Sequence, residues 1–280
     1  MHLKTLLAGL SLRSATADME TEITHISYDS RTTAPGDVFV AMTGFVTDGH
    51  AYIGKAVAAG AAAVVCERPP EDSSVPYVLV ENSRRALAVM AANYYGHPAD
   101  SMTMVAVTGT NGKTTTTYLL KAALEGALKA KVGLIGTNQN MIGEEILPAH
   151  RTTPESYELQ ALLRQMADAG CTHVVMEVSS HALVLHRVRG IRFAAGIFTN
   201  LTQDHQDFHG TMEAYRAAKG RLFEQSDLAV LNLDDEAGRY YARTAPCPVF
   251  TYSERKDEAD LVAKNIRLFP SHVEFEAVAK

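Results

Sequence analysis

Residues 104–120 read MVAVTGTNGKTTTTYLL. An apolar run stops at a glycine, a second glycine and a lysine follow, and threonines then lead into helix-forming residues. That order is strand, tight loop, helix. A strand that turns at once into a helix belongs to a βα unit, in which helices cover a largely parallel sheet. The usual phosphate-binding loop, G-x-x-x-x-G-K-[ST], would place a glycine five residues before Gly112, where Val107 stands instead. The loop is therefore the shorter run Gly109, Thr110, Asn111, Gly112, Lys113, Thr114, with Thr115 next in the helix. Its chemistry still suits a phosphate. Glycines admit close backbone approach, the helix start presents N–H groups, and Lys113 would offset β and γ phosphates. Thr114 would place its hydroxyl on magnesium. The plain alternative is a strand–turn–helix junction with a solvated lysine. Residues 114–117 are four threonines, poor helix formers, so a bound anion or tertiary packing has to hold that turn.

The flanking sequence repeats the alternation. Ahead of the loop, residues 37–42, 63–66 and 77–80 read as strands and 51–59 and 83–95 as helices, with Gly96 and Pro98 ending the block. The first fourteen residues read as an amphipathic helix. After the loop, KVGLIG, HVVMEVS, FAAGIFTNL, LAVLNLD and PVFTYS are strand candidates. Residues 153–170 read as a helix capped by Thr153 with Pro154 in its first turn, and 211–226 as one capped by Thr211. From about Asp260 the pattern changes to period-two alternation in HVEFEAV, an antiparallel strand whose hairpin partner is expected beyond Lys280. The expected fold is α/β: a small α/β domain over residues 1–97, then a P-loop domain over 98–280 with a mostly parallel sheet and helices on both faces.

Composition narrows the function classes. The formal charge is −6 and no basic tract stands out, which argues against nucleic acid as a partner. No apolar run is long enough to span a membrane. Cys66, Cys171 and Cys247 are odd in number and far apart, which argues against a disulfide framework or a zinc cluster and suits a cytoplasmic protein.

In a parallel sheet, ligands bind beyond the carboxyl ends of the strands. Glu177 closes the strand HVVME, where a carboxylate either caps a helix or serves a magnesium ion. Asp204, His205, Asp207 and His209 crowd into QDHQDFHG. That spacing matches no firm zinc signature, and it suits a magnesium site with one histidine or simply a wet polar loop. Lys219, on a helix of small and apolar residues, reads as a snorkelling lysine.

Taken together, TGTNGKTTT, MEVSSHAL and IFTNLTQDHQDFHGTMEAY followed by AAKGRLF resemble the Mur ligase family, as does ISYDSRTTAPGDVFVAMTG upstream. The loop alone would also admit folylpolyglutamate and cyanophycin synthetases. The resemblance implies ATP-dependent amide formation in peptidoglycan synthesis. An acyl phosphate on UDP-N-acetylmuramoyl-L-alanyl-D-glutamate would be attacked by a third amino acid, meso-diaminopimelate or L-lysine. It implies that Gly109 to Thr115 hold ATP, that Thr114 and Glu177 ligate Mg2+, that His205 serves a second Mg2+, and that Lys219 is carbamylated to support a metal. Lys113, Glu177, His205 and Lys219 are the implied catalytic set. Ser30 and Arg31 match the UDP-binding signature, and Thr152, Thr153, Ser179 and Arg187 match muramoyl-peptide and diphosphate contacts. For Ser30 and Arg31 the residues alone would equally describe a surface turn. Phe45 stands where the pattern has histidine, and Leu185 where some relatives carry a polar residue. Family members have a third, C-terminal domain that selects the amino acid. The resemblance implies that this chain lacks that domain, is inactive alone and is monomeric. Competing readings are another Mur-type ligase and a nucleotide-binding module without catalysis.

Overall fold

The computed structural model describes residues 1–44, 47–203 and 206–280. The chain divides into two compact units. The first takes in Met1–Pro98 together with Pro154–Arg164 and Leu185–Gly190, and the second takes in the remainder.

In the first unit α1 (Leu3–Leu6) and β1 (Leu12–Ala15) are followed by β2 (Ile26–Ser27), β3 (Val38–Val40), α2 (Ile53–Ala58), β4 (Ala63–Cys66), β5 (Tyr77–Val80) and α3 (Ser83–Tyr95). The strands form one sheet in the order β1-β5-β4-β3-β2, parallel except for β1. Side chains alternate across it with period two. Val38, Val40, Ala63 and Val65 face one core with Leu3, Leu6, Leu87 and Met90. Phe39, Val64 and Cys66 face a second core with Ile53 and Ala56. Asn82 caps α3 by accepting from the Arg85 amide, and Gly96, at φ 70°, ends it. The expected fourteen-residue N-terminal helix is a single turn. Gly9, at φ 80°, breaks it, and the chain becomes the edge strand β1.

The second unit runs β6 (Thr103–Thr108), α4 (Lys113–Leu128), β7 (Val132–Ile135), β8 (Asn140–Ile142), β9 (Glu145–Leu147), the helix α5 (Ser156–Asp168) that begins in the first unit, β10 (His173–Glu177), α6 (Ser180–Val184) and β11 (Ala195–Phe198). It continues through α7 (Gln206–His209), α8 (Met212–Gly220), β12 (Ala229–Asn232), α9 (Glu236–Thr244), β13 (Val249–Ser253), β14 (Leu261–Leu268) and β15 (Val273–Ala279). Ten strands form one sheet in the order β15-β14-β13-β12-β11-β6-β10-β7-β8-β9. Pairing is parallel from β7 to β14, with antiparallel β8, β9 and β15 at the edges. The first strand of the unit, β6, lies mid-sheet. The chain fills in β7 and β10 on one side of it, then β11, β12 and β13 on the other. This reversal is a topological switch point, the place where open α/β sheets form a ligand crevice.

Two further local expectations are corrected, and one element was not anticipated. The partner of β15 is β14, which precedes it in the chain. The helix after Thr153 starts at Ser156, and the Thr153 hydroxyl donates to the Glu177 carbonyl rather than capping that helix. Residues 140–147 form the hairpin β8–β9, turned at Gly143 with φ 60°. Its strands are three residues each, too short to show a period. Thr211 does cap α8, accepting from the Ala214 amide at 3.1 Å. Among the described residues no helix is long and apolar enough to cross a membrane.

Phe198 is fully buried between Phe223, Leu231 and Tyr241, with the Tyr241 ring edge-on at 5.0 Å. Phe198→Ala is expected to cost about 3–5 kcal/mol in urea unfolding and Phe198→Leu far less, because only the former leaves a cavity of ring size. Equal losses would mean that packing is not what Phe198 supplies.

Candidate active site

The switch point brings three strand ends together. The parallel registers set Glu177 of β10 beside Val107 of β6, and Phe198 of β11 beside Thr108. The residues that follow β6 and β11, and Glu177 itself, therefore crowd one edge of the sheet.

The loop after β6 is fastened to the turn after β11. The Thr110 amide donates to the Asn200 carbonyl at 2.8 Å and the Asn111 amide to Asn200 Oδ1 at 3.0 Å. The Thr199 hydroxyl donates to the Asn111 carbonyl at 2.6 Å, and the Thr202 amide to Thr110 Oγ1 at 3.0 Å. This closeness requires glycine at position 109, which has φ 151°. A Cβ there would stand 1.9 Å from the Thr199 hydroxyl. Gly112, at φ 85°, is the N-cap of α4. Thr115 lies exposed in the first turn. The threonine run that ought to weaken this turn is held by packing and hydrogen bonds. Thr117 is fully buried, and its hydroxyl donates back to the Thr114 carbonyl at 2.8 Å.

Two cations converge on the loop. Lys113 Nζ donates to the carbonyls of Gly109 and Thr110 at 3.0 and 2.9 Å. Lys219 Nζ donates to the same Gly109 carbonyl at 2.9 Å and lies 4.5 Å from the centre of the Tyr215 ring. Lys219 is 1% exposed, so its amine is not a snorkelling tip in water. Helix α8 carries both Lys219 and Tyr215. The Tyr215 ring stacks on His209 at 4.9 Å, and His209 Nε2 and the Ser180 hydroxyl are 2.8 Å apart.

Glu177 has no exposed surface. Its Oε1 accepts from the Thr114 hydroxyl and the Thr137 amide, both at 2.9 Å, and its Oε2 from the Thr137 hydroxyl at 3.0 Å. Gly136 leaves room for it, since a Cβ there would lie 2.5 Å from Oε1. The Thr152 and Thr137 hydroxyls lie 3.0 Å apart. The Thr153 hydroxyl donates to the Glu177 carbonyl and accepts from the Ser179 amide. Ser179 accepts from the Ala182 amide, which caps α6. The Thr114 hydroxyl and Glu177 carboxylate, 2.9 Å apart, are a hard oxygen pair of the kind magnesium takes. Among the described residues no three His, Cys, Asp or Glu side chains cluster to hold a metal. His205, expected as a metal ligand, and Phe45 lie outside the described residues.

Ser30 and Arg31 belong to the first unit and line a cavity of about 470 Å3 with Tyr28, Tyr52, Lys55 and Arg84. Ser30 is buried, while Arg31 folds onto Asp29, with Nη2 2.6 Å from Oδ2. Arg31 beside it holds the Asp29 carboxyl at about 2, against an ordinary 3.8. Arg187 packs in the same unit, its Nε 3.3 Å from Glu155.

The Mur ligase middle-domain profile matches residues 107–280, and the Mur ligase catalytic-domain profile matches residues 22–95. The chain belongs to the Mur ligase family. It is 46% identical over 279 residues to a UDP-N-acetylmuramoyl-L-alanyl-D-glutamate–2,6-diaminopimelate ligase of Clostridium tetani, covering 98% of this chain and 57% of that one. It is 51% identical over 219 residues to the ligase of the same name from Chlorobium phaeobacteroides, covering 76% and 43%. A solved structure of such a ligase superposes over 100% of this chain and 58% of its own, with TM-score 0.83 and 26% identity. MurF ligase from Thermotoga maritima, solved with ADP, gives TM-score 0.59 at 25% identity over 93% and 57%. The matched regions span between 43% and 58% of the length of these Mur ligases.

The residues that sequence reasoning passed over are the ones that hold the others. Thr137 and Gly136 shape the Glu177 pocket, Thr199 fastens the loop beside Asn200, and Arg84 lines the cavity while Glu155 engages Arg187. TNL at 199–201 directly follows an apolar strand, a position that could have flagged Thr199.

The depressed Asp29 carboxyl sets a sign. Its folded value lies below its unfolded one, so its pairing with Arg31 stabilises the fold above about pH 4 and is lost as pH falls through about 2. Carboxyl NMR titration is expected to place Asp29 near 2 and to return it toward 3.8 in Arg31→Ala. An unchanged Asp29 titration in that variant would remove Arg31 as the cause.

Proposed function

We propose that this chain supplies the nucleotide-sugar and ATP sites of a ligase joining 2,6-diaminopimelate to the side-chain carboxylate of UDP-N-acetylmuramoyl-L-alanyl-D-glutamate through an acyl phosphate. The observation that carries the reading is the meeting of the Gly109–Thr114 loop, buried Glu177 and buried Lys219 at one switch point. The names of the relatives supply the substrate.

Joining two charged reactants needs an activated carboxylate and compensation of negative charge. ATP supplies the phosphoryl group, and Mg2+ offsets the repulsion between phosphate and carboxylate. The loop amides and Lys113 would hold the β and γ phosphates, with Lys113 turning from its loop carbonyls to the nucleotide. Thr114 and Glu177 would hold the metal as hard oxygen donors, with Thr137 keeping the carboxylate oriented. We assign His205 to a second metal and read Lys219 as the family's carbamylated lysine. In the N-terminal unit, Ser30 and Arg31 would take the UDP moiety and Arg187 the diphosphate. Thr152, Thr153 and Ser179 are assigned to the muramoyl-peptide end, Thr153 acting through the backbone it fixes. The protein's own contribution is then placement of charge and reactants ahead of the reaction.

Titration calorimetry of the chain with UDP-N-acetylmuramoyl-L-alanyl-D-glutamate is expected to give saturable one-to-one binding. Lys113→Ala is expected to lose about tenfold or more in Mg-ATP affinity, the scale of a charge-assisted hydrogen bond, without changing precursor binding. Wild-type ATP affinity in that variant would remove the loop assignment. Absence of precursor binding by both this chain and the full-length ligase would remove the substrate assignment.

A further inference from the structure

Glu155 is 6% exposed and stands between two arginines of its own unit. Its Oε2 lies 3.3 Å from Arg187 Nε and 3.6 Å from Arg84 Nη1. The three side chains are 7%, 14% and 16% exposed. Arg84 also donates through Nη2 to the Thr43 carbonyl at 3.3 Å, so its guanidinium is held at two corners. A carboxylate taken out of water is an expensive way to hold a fold together, and it leaves one positive charge in excess among these three groups. The cavity that Arg84 lines has the same bias. Arg31, Lys55 and Arg84 face one carboxylate, Asp29, which Arg31 already engages. Tyr28 and Tyr52 add aromatic walls. A cationic, aromatic-walled cavity suits a planar base carrying phosphates.

We propose that Arg84 is a diphosphate contact of the nucleotide-sugar cavity and that Glu155 is the positioning residue that fixes Arg84 there, in common with Arg187. This rests on the reading of the N-terminal unit as the nucleotide-sugar site. Glu155 acts through charge and geometry. It cancels the repulsion between two guanidiniums that would otherwise spread apart, and it holds Arg84 where it lines the cavity wall. Neither residue carries a motif, because each matters only once α3 and the start of α5 have packed.

The test compares UDP with uridine as probes, by calorimetry and saturation-transfer NMR, on the chain and on Arg84→Gln, Glu155→Gln and the double variant. Arg84→Gln is expected to weaken UDP about tenfold or more, the scale of a charge-assisted hydrogen bond, and to leave uridine unchanged. Glu155→Gln is expected to weaken UDP similarly, again sparing uridine. The double variant is expected to lose clearly less than the sum of the two single losses, since Glu155 acts through Arg84 as well as Arg187. Losses that add, or equal losses for UDP and uridine, would make Glu155 merely structural and overturn the positioning role. If Glu155→Gln fails to fold by circular dichroism, Arg84→Gln and Arg84→Lys decide, and wild-type UDP affinity in Arg84→Gln overturns the proposal. A wild-type chain that binds neither UDP nor the UDP-sugar would instead overturn the nucleotide-sugar reading itself, and the Arg84 contact with it.

Discussion

A carboxylate with no exposed surface has to be compensated where it lies, and the second unit of this chain is arranged around that requirement. Glu177 ends the parallel strand β10, where side-chain burial on both faces leaves no water to solvate a charge. Three donors replace it, one from the start of α4 and two from Thr137 after β7. Because the donors come from elements on either side of the strand, satisfying one acid ties β6, β7 and β10 to a common geometry. Gly136 must then have no side chain, and Thr153 must hold the Glu177 backbone, which in turn fixes Ser179 and the start of α6. The polar network is dense because the alternative, an unpaired buried charge, costs several kcal/mol.

The same logic holds on the other side of β6. There the constraint is a close approach of two turns, with Gly109 against Thr199. Most of the bonds that fix the loop run to Thr199, Asn200 and Thr202, so its shape is set by the strand next door more than by its own residues. That explains how a loop two residues shorter than the usual spacing keeps a defined form. It also explains why Lys219, far along the chain on α8, can reach the same carbonyl as Lys113.

What was legible in the sequence follows from these distances. The βα alternation shows because each buried strand is a continuous apolar run and each helix repeats its apolar face. The loop shows because its glycines and lysine are contiguous. Glu177 is marked by standing at the end of an apolar strand. The β8–β9 hairpin and the turn that shortens α1 are too brief for any period to register. Thr153 looks like a helix cap because Ser and Thr before a proline usually are, and the tertiary demand of the Glu177 backbone overrides that preference. Lys219 reads as solvated because its neighbours are small, and only the register of α8 against the loop buries it. Thr137, Arg84 and Glu155 are invisible for a related reason. Thr137 is marked by a carboxylate 40 residues away, and Arg84 and Glu155 by a cluster of two guanidiniums and one carboxylate assembled from three chain segments.

Adjacent residues at the start of α4 point to chemically opposite partners. Lys113, the first, turns its ammonium back onto the loop carbonyls, and Thr114, the second, gives its hydroxyl to the buried carboxylate. One pole of this turn, with the helix N-terminus and two lysines, favours negative charge. The other, an anionic oxygen pair, favours a hard cation. A bare anion would satisfy the first pole and be repelled by Glu177. A bare cation would satisfy the second and be repelled by the lysines. A polyphosphate that brings its own divalent metal would satisfy both at once, so the charge layout of this one helical turn suits such a pair better than either ion alone.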